Sequence, residues 1–128
     1  MERARILIVD DHAEVILGLR QLIETDEASE VVGEATSAGQ AVERARKLRP
    51  DIVLMDFSMG DMDGLEAASL IREENPSTEV VILSVYEADE HEERVRQAGV
   101  RRWIPKSQPP DVLLQELHEL AGELHQRL

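Results

Sequence analysis

The stretch RILIVDD (Arg5–Asp11) decides the fold, because a short apolar run ends abruptly in two adjacent aspartates. Four runs rich in isoleucine, valine and leucine occur along the chain: Arg5–Val9, Val31–Ala35, Ile52–Met55 and Val80–Leu83. Since these runs are nearly continuous in apolar residues rather than alternating, we predict buried strands covered on both faces. A fifth run, Val100–Ile104, contains two arginines and precedes Pro105, which cannot donate to a β-ladder. We predict an edge strand there.

Segments with helical spacing separate the predicted strands. Apolar positions and stop signals predict helices over about residues 12–26, between Ser37 and Pro50, from Gly64 to Asn75, from Ala88 to Ala98, and from Pro109 and Pro110 nearly to the end. The β-α unit is therefore repeated five times. This order predicts an α/β fold with a doubly wound, five-stranded parallel sheet in the strand order 2-1-3-4-5.

Composition narrows the class of protein. The 128 residues fit a single domain, residues 1–128, with no output domain inside the chain. Only three residues are aromatic, so the core must be aliphatic. The net charge of −13 disfavours direct nucleic-acid binding, and the absence of cysteine excludes disulfides and thiolate sites. No apolar run is long enough for a membrane span, so we expect a cytoplasmic protein.

Polar side chains follow four of the five predicted strands. These are Asp10 and Asp11, Asp56, Ser84 and Lys106. Because the carboxyl ends of parallel strands share one edge, we expect these side chains to converge there. Crowded carboxylates repel one another, and a divalent cation offsets that repulsion. Oxygen ligands favour Mg²⁺, and Mg²⁺ beside a lysine and a hydroxyl suggests phosphoryl chemistry.

Each of these residues has a simpler interpretation when it is considered alone. Asp10 and Asp11 could cap a helix, Asp56 could be a loop residue, and Lys106 could be a solvated surface charge. Their joint occurrence at strand ends favours a site. Asp61 and Asp63 are interpreted as loop residues and a cap for the third helix rather than as a calcium loop.

The histidines are interpreted as surface residues rather than phosphodonors, because no kinase-type context surrounds them. They are His12, His91, His118 and His125.

Several motifs together resemble the receiver domain of bacterial two-component response regulators, within the CheY-like superfamily of flavodoxin-like folds. The motifs are Ile6–Asp11, Val53–Met59 with Met62–Gly64, Val81–Ser84, and Ala98–Gly99 leading to Trp103–Lys106. The resemblance extends from about Arg5 to Leu124. Ser107 and the Pro-Pro-Asp111 that follows, with Leu83–Tyr86, resemble the NarL/FixJ subfamily, whose receivers often precede a helix-turn-helix domain.

The resemblance implies a role for each site residue. Asp56 would accept a phosphoryl group from a phosphohistidine of a sensor histidine kinase, and Lys106 would pair with that group. Asp10, Asp11 and Asp56 would hold Mg²⁺ together with the Ser58 backbone carbonyl, while Ser84 and Trp103 would form a switch pair. The chain would catalyse its own phosphorylation and dephosphorylation rather than act as a classical enzyme, and it could form a homodimer on phosphorylation.

Three residues depart from the family pattern: Gly60 and Ser107 stand where proline is common, and Trp103 stands where tyrosine or phenylalanine is usual. None of these changes removes a chemically essential group. A rival interpretation is a docking module on the same fold that works without phosphorylation. A flavodoxin-type cofactor binder is disfavoured, because two acids stand where a phosphate-binding loop would follow the first strand.

Overall fold

The computed structural model describes residues 3–85 and 91–126. The elements are β1 (Ala4–Val9), α1 (Ala13–Ile23), β2 (Ser29–Ala35), α2 (Ala38–Leu48), β3 (Ile52–Asp56), α3 (Gly64–Glu74), β4 (Glu79–Ser84), α4 (Glu92–Ala98), β5 (Arg102–Pro105) and α5 (Pro110–Gln126). All strand pairs are parallel, and the order is β2-β1-β3-β4-β5. The predicted doubly wound sheet is confirmed, and β5 lies at its edge as Pro105 indicated.

Helices cover both faces of the sheet, which explains why the central strands β1, β3 and β4 are largely apolar on both sides. On one face α2, α3 and α4 bury small residues such as Ala41, Ala68 and Ala98 against the strands. On the other face α1 and α5 bury larger side chains, including Leu117 and Leu120. Because both faces are occupied, functional side chains can gather only at the ends of the strands.

Several predicted boundaries differ from the observed ones, among them the start of β2, which lies at Ser29 rather than Val31. β5 begins at Arg102 rather than Val100, because Gly99 ends α4 with a positive φ of 73°. The N–H of Val100 then bonds back to the carbonyl of Val95 at 3.3 Å, which ties Val100 to the end of the helix. The predicted start of the fourth helix at Ala88 lies outside the described residues, and the described helix begins at Glu92.

The first helix also ends earlier than predicted, at Ile23 rather than near residue 26. The N–H groups of Thr25 and Asp26 bond to the carbonyls of Leu22 and Ile23, three residues back. Bonds of this spacing tighten the last turn and end the α-helix.

The start of α3 lies directly against the backbone at the end of β3. A Cβ atom at Gly64 would lie 2.9 Å from the carbonyl oxygen of Asp56 and 3.1 Å from the Cα of Phe57. The Gly64 N–H also donates to the Phe57 carbonyl at 2.8 Å. Because Gly64 has no side chain, the start of α3 can lie against the end of β3.

We expect Gly64→Ala to lower the free energy of unfolding by about 1–3 kcal/mol, because backbone atoms must move to admit the methyl group. Urea unfolding measures the change. Gly122→Ala is the matched control, since Gly122 is exposed on α5 and has nothing within 4 Å of the added Cβ. That control should raise the free energy of unfolding by about 0.5–1 kcal/mol. Equal stabilisation by both substitutions would contradict the close approach at Gly64.

Candidate functional site

The carboxyl ends of the strands bring an ammonium group against two buried carboxylates. Asp10 follows β1, Asp56 ends β3, and Lys106 follows β5. The Nζ of Lys106 lies 3.0 Å from Oδ1 of Asp56 and 3.9 Å from Oδ2 of Asp10. Both aspartates are buried, at 1% and 6% exposure, whereas Lys106 reaches the pair from the surface. Residues far apart in the chain thus form one charged group.

The Asp10–Asp11 pair does not cap α1. His12 occupies the N-cap position, and its side chain makes no capping bond. Oδ1 of Asp10 instead accepts a hydrogen bond from the His12 N–H at 2.9 Å. The Nδ1 of His12 lies 2.8 Å from Oδ1 of Asp11 and 3.1 Å from Oδ1 of Asp10. The predicted surface position of His12 is confirmed, but its contacts with both acids were not foreseen from the sequence.

One carboxylate oxygen among these residues is placed to bind a cation. Oδ2 of Asp10 is buried and has no hydrogen-bond partner among the described residues. Ligand atoms of Asp10, Asp11 and His12 lie within 4.8 Å of one another. A buried carboxylate oxygen without a partner is costly, and a hard divalent ion with oxygen ligands would satisfy it. The donor set therefore fits Mg²⁺.

The environment of Asp56 disfavours its charged form. Burial raises the pKa of Asp56 above its ordinary value of 3.8, and the nearby Asp10 acts in the same direction. The contact with Lys106 and a hydrogen bond from the Ser58 backbone act the other way without cancelling the effect of burial. A second positive charge near Asp56 would stabilise the charged form of its carboxylate.

We expect Asp56→Asn to stabilise the fold at neutral pH. Because the pKa of Asp56 is raised in the folded chain, the free energy of unfolding falls as pH rises from 3.8 through the raised pKa, and it stays lowered above it. Asparagine has no ionisable carboxyl, so the variant does not lose this part of the free energy of unfolding. Urea unfolding without added divalent cation should show a higher midpoint for the variant at pH 7 and no advantage well below pH 3.8. A gain of equal size at both pH values would show another cause.

Ser84 and Trp103 lie on neighbouring strands next to this group. Ser84 ends β4 and is buried at 1% exposure. Its carbonyl accepts the Lys106 N–H at 2.7 Å, which joins the end of β4 to the lysine. Trp103 is half-buried on β5, and its ring centroid lies 5.2 Å from that of Phe57 and 5.9 Å from that of His91.

His91 is only partly a surface residue, in contrast to the prediction. It is half-buried, and its ring centroid lies 5.0 Å from that of Phe57. His118 is exposed, as predicted. The side chain of His125 lies outside the described part of the chain. Sequence spacing gave no signal for the His91 contact, because Phe57 and His91 belong to different elements.

The loop after β3 is held by two aspartates that serve different helices. Asp63 caps α3, and its side chain accepts the Glu66 N–H at 3.0 Å, as predicted. Asp61 instead accepts the N–H groups of Ala38 and Gly39 at the start of α2, and these bonds lower its pKa. Ser58 and Gly60 are exposed in the same loop.

Comparison with known proteins gives the family. The model of the response regulator receiver domain matches residues 6–118. The chain belongs to this family. The receiver domain is 39% identical over 103 residues to the response regulator protein VraR of Staphylococcus saprophyticus, and 40% identical over 103 residues to VraR of Staphylococcus epidermidis. Each match covers 80% of this chain and 49% of the relative, so the chain spans about half the length of these curated relatives.

Solved structures share the fold of this receiver domain. A LuxR-family two-component response regulator from Aurantimonas superposes with a TM-score of 0.88 at 33% identity, covering 95% of this chain and 87% of the other. A CheY-like receiver domain from Methanospirillum hungatei gives a TM-score of 0.89 at 26% identity over 99% and 100% of the two chains. The neighbours thus include a LuxR-family response regulator and a CheY-like receiver domain.

None of the helices in residues 3–85 and 91–126 of the receiver domain combines the length and apolarity needed to cross a membrane.

Proposed function

We propose that the chain is a working phosphoacceptor, with Asp56 as the residue that carries the phosphoryl group. The observation that carries this proposal is the 3.0 Å contact between Lys106 and Asp56, beside an oxygen of Asp10 that has no hydrogen-bond partner among the described residues and lies 3.9 Å from the Lys106 Nζ. A purely structural ion pair would not require a second buried carboxylate next to it. We therefore assign the group formed by Lys106, Asp56 and Asp10 to phosphoryl transfer.

The donor in this proposal is a phosphohistidine of a sensor histidine kinase. An Oδ atom of Asp56 attacks the phosphorus, the bond from phosphorus to the imidazole nitrogen breaks, and that nitrogen keeps the electron pair and takes a proton. The product is an acyl phosphate on Asp56. Water later attacks the phosphorus, releases inorganic phosphate and restores the carboxylate.

Asp10, Asp11 and Asp56, with the Ser58 carbonyl, would hold Mg²⁺. When bound, Mg²⁺ offsets the repulsion between the carboxylates and the incoming phosphoryl oxygens. Lys106 already lies against Asp56, so its ammonium group can pair with a phosphoryl oxygen after a small movement.

Ser84 and Trp103 would convert phosphorylation of Asp56 into a conformational change at the protein surface. A phosphoryl oxygen on Asp56 draws the Ser84 hydroxyl inward, and the Trp103 ring moves into the space that is vacated. Partners that prefer this state shift the population toward it. The VraR relatives match this chain over only 49% of their own length, so we further propose that a cytoplasmic output segment, such as a helix-turn-helix domain, or a homodimer reads the change.

Trp103 fluorescence tests the proposal, because Trp103 is the only tryptophan in the sequence. Mg²⁺ is titrated first, and beryllofluoride, a phosphoryl mimic, is then added. We expect a Mg²⁺-dependent change in emission that is absent in Asp56→Asn. If neither ligand changes the emission and acetyl phosphate adds no phosphoryl group, the phosphoacceptor proposal fails and the phosphorylation-independent docking module is favoured.

A further inference from the structure

The rings of Phe57, His91 and Trp103 form one cluster that joins three elements of the fold. Their centroids are 5.0, 5.2 and 5.9 Å apart, and the ring planes are tilted by 32–55°. These separations lie within the range of favourable aromatic contacts. Phe57 follows the proposed phosphoacceptor directly, Trp103 lies on β5, and His91 immediately precedes α4.

Phe57 is firmly tied to the end of β3. It is buried at 8% exposure, its N–H donates to the Leu83 carbonyl at 2.9 Å, and its carbonyl accepts the Gly64 N–H at 2.8 Å. A change at Asp56 that moved the adjacent backbone would therefore move the Phe57 ring as well. Because the buried ring lies in a close-packed interior, little of such a movement can be absorbed around it.

Most side chains of the helix α4 are exposed. It has seven residues, of which only Ala98, at its far end, is buried. Arg94 pairs with Asp63 at 2.5 Å, and Val95 packs partly against the core. At the near end His91 occupies the N-cap position, but its side chain does not cap the helix. The His91 ring is instead packed against Phe57 and Trp103, so the cluster fixes the start of α4.

We propose that His91 is a positioning residue that couples Asp56 to the start of α4 through the Phe57–His91–Trp103 cluster. This inference rests on the proposed function. While Asp56 is unphosphorylated, the cluster holds the start of α4 against the sheet. When Trp103 moves after phosphorylation, His91 loses its ring contact with Trp103 and the start of α4 loosens. This coupling adds a second route from Asp56, because it acts through Phe57 as well as through Ser84.

Hydrogen exchange of the α4 amides tests the coupling, with and without Mg²⁺ and acetyl phosphate. In the wild type we expect phosphorylation to speed exchange about fivefold or more. In His91→Ala, α4 should already exchange faster by a similar factor at rest, and phosphorylation should add little. Trp103 emission should shift to longer wavelength in that variant without any phosphorylation, because its ring loses cover. His91→Phe keeps a planar ring and should restore wild-type behaviour in both measurements.

The control is His118→Ala, which removes an exposed histidine on α5 and should leave α4 exchange and Trp103 emission unchanged. Intact mass is recorded for every variant. If His91→Ala takes up the phosphoryl group and responds in α4 as the wild type does, the coupling is overturned while the proposed function stands. If the wild type takes up no phosphoryl group, the proposed function fails and the coupling fails with it.

Discussion

Lys106→Met should slow phosphoryl uptake from acetyl phosphate by about 10²–10³-fold, the loss typical of removing one charged donor from a developing oxyanion. The Nζ of Lys106 is 3.0 Å from Asp56 and 3.9 Å from Asp10, so its removal leaves both carboxylates without this cation. Methionine keeps the length and apolar stem of the side chain. The loss therefore reports on charge rather than on packing.

The chain offers a matched control for this experiment, since Lys47 is the only other lysine in the sequence. Lys47 is 72% exposed on α2, where it pairs with Glu43 rather than with a residue at the strand ends. Lys47→Met changes the net charge equally and should leave the uptake rate unchanged. Time courses of intact mass would measure both variants. Similar rates for Lys106→Met and Lys47→Met would show that Lys106 has no part in the chemistry.

Asp10→Asn should weaken Mg²⁺ binding by at least about 10–100-fold, a loss usual even for groups that only support a metal ligand. Oδ2 of Asp10 is buried without a hydrogen-bond partner among the described residues, and an amide there is a much poorer ligand than a carboxylate. The substitution also removes repulsion between Asp10 and Asp56. We therefore expect the variant to gain stability in the absence of Mg²⁺ while it loses affinity for the ion.

Isothermal titration with Mg²⁺ measures the affinity, and urea unfolding without divalent ions measures the stability. Asp111→Asn is the control, because Asp111 is exposed on α5 and its loss changes the net charge by the same amount. It should alter neither quantity greatly. Unchanged Mg²⁺ affinity in Asp10→Asn would remove Asp10 from the proposed metal ligands.

The strand ends were predictable from the sequence because the signal there is local. Four of the five runs are followed by a polar site residue, and parallel strands bring their carboxyl ends to one edge of the sheet. For this reason the sequence alone predicts that the side chains of Asp10, Asp56 and Lys106 lie close together. The family motifs then added an expected role for each of them.

Contacts between loops and helices were not predictable in the same way. Asp61 bonds to the start of α2, although the chain next enters α3, and His91 packs on Phe57 from a different element. Both contacts depend on how the helices lie over the sheet, which no short stretch of sequence encodes. Val100 fits a strand by composition, yet the left-handed turn at Gly99 ties it to α4.

Mass spectrometry of the chain after treatment with acetyl phosphate and Mg²⁺ shows whether Asp56 accepts a phosphoryl group. We expect one added phosphoryl group, mapped to Asp56, that is absent from Asp56→Asn and absent when Mg²⁺ is chelated. An unmodified wild-type chain, or a phosphoryl group mapped to another residue, would contradict it.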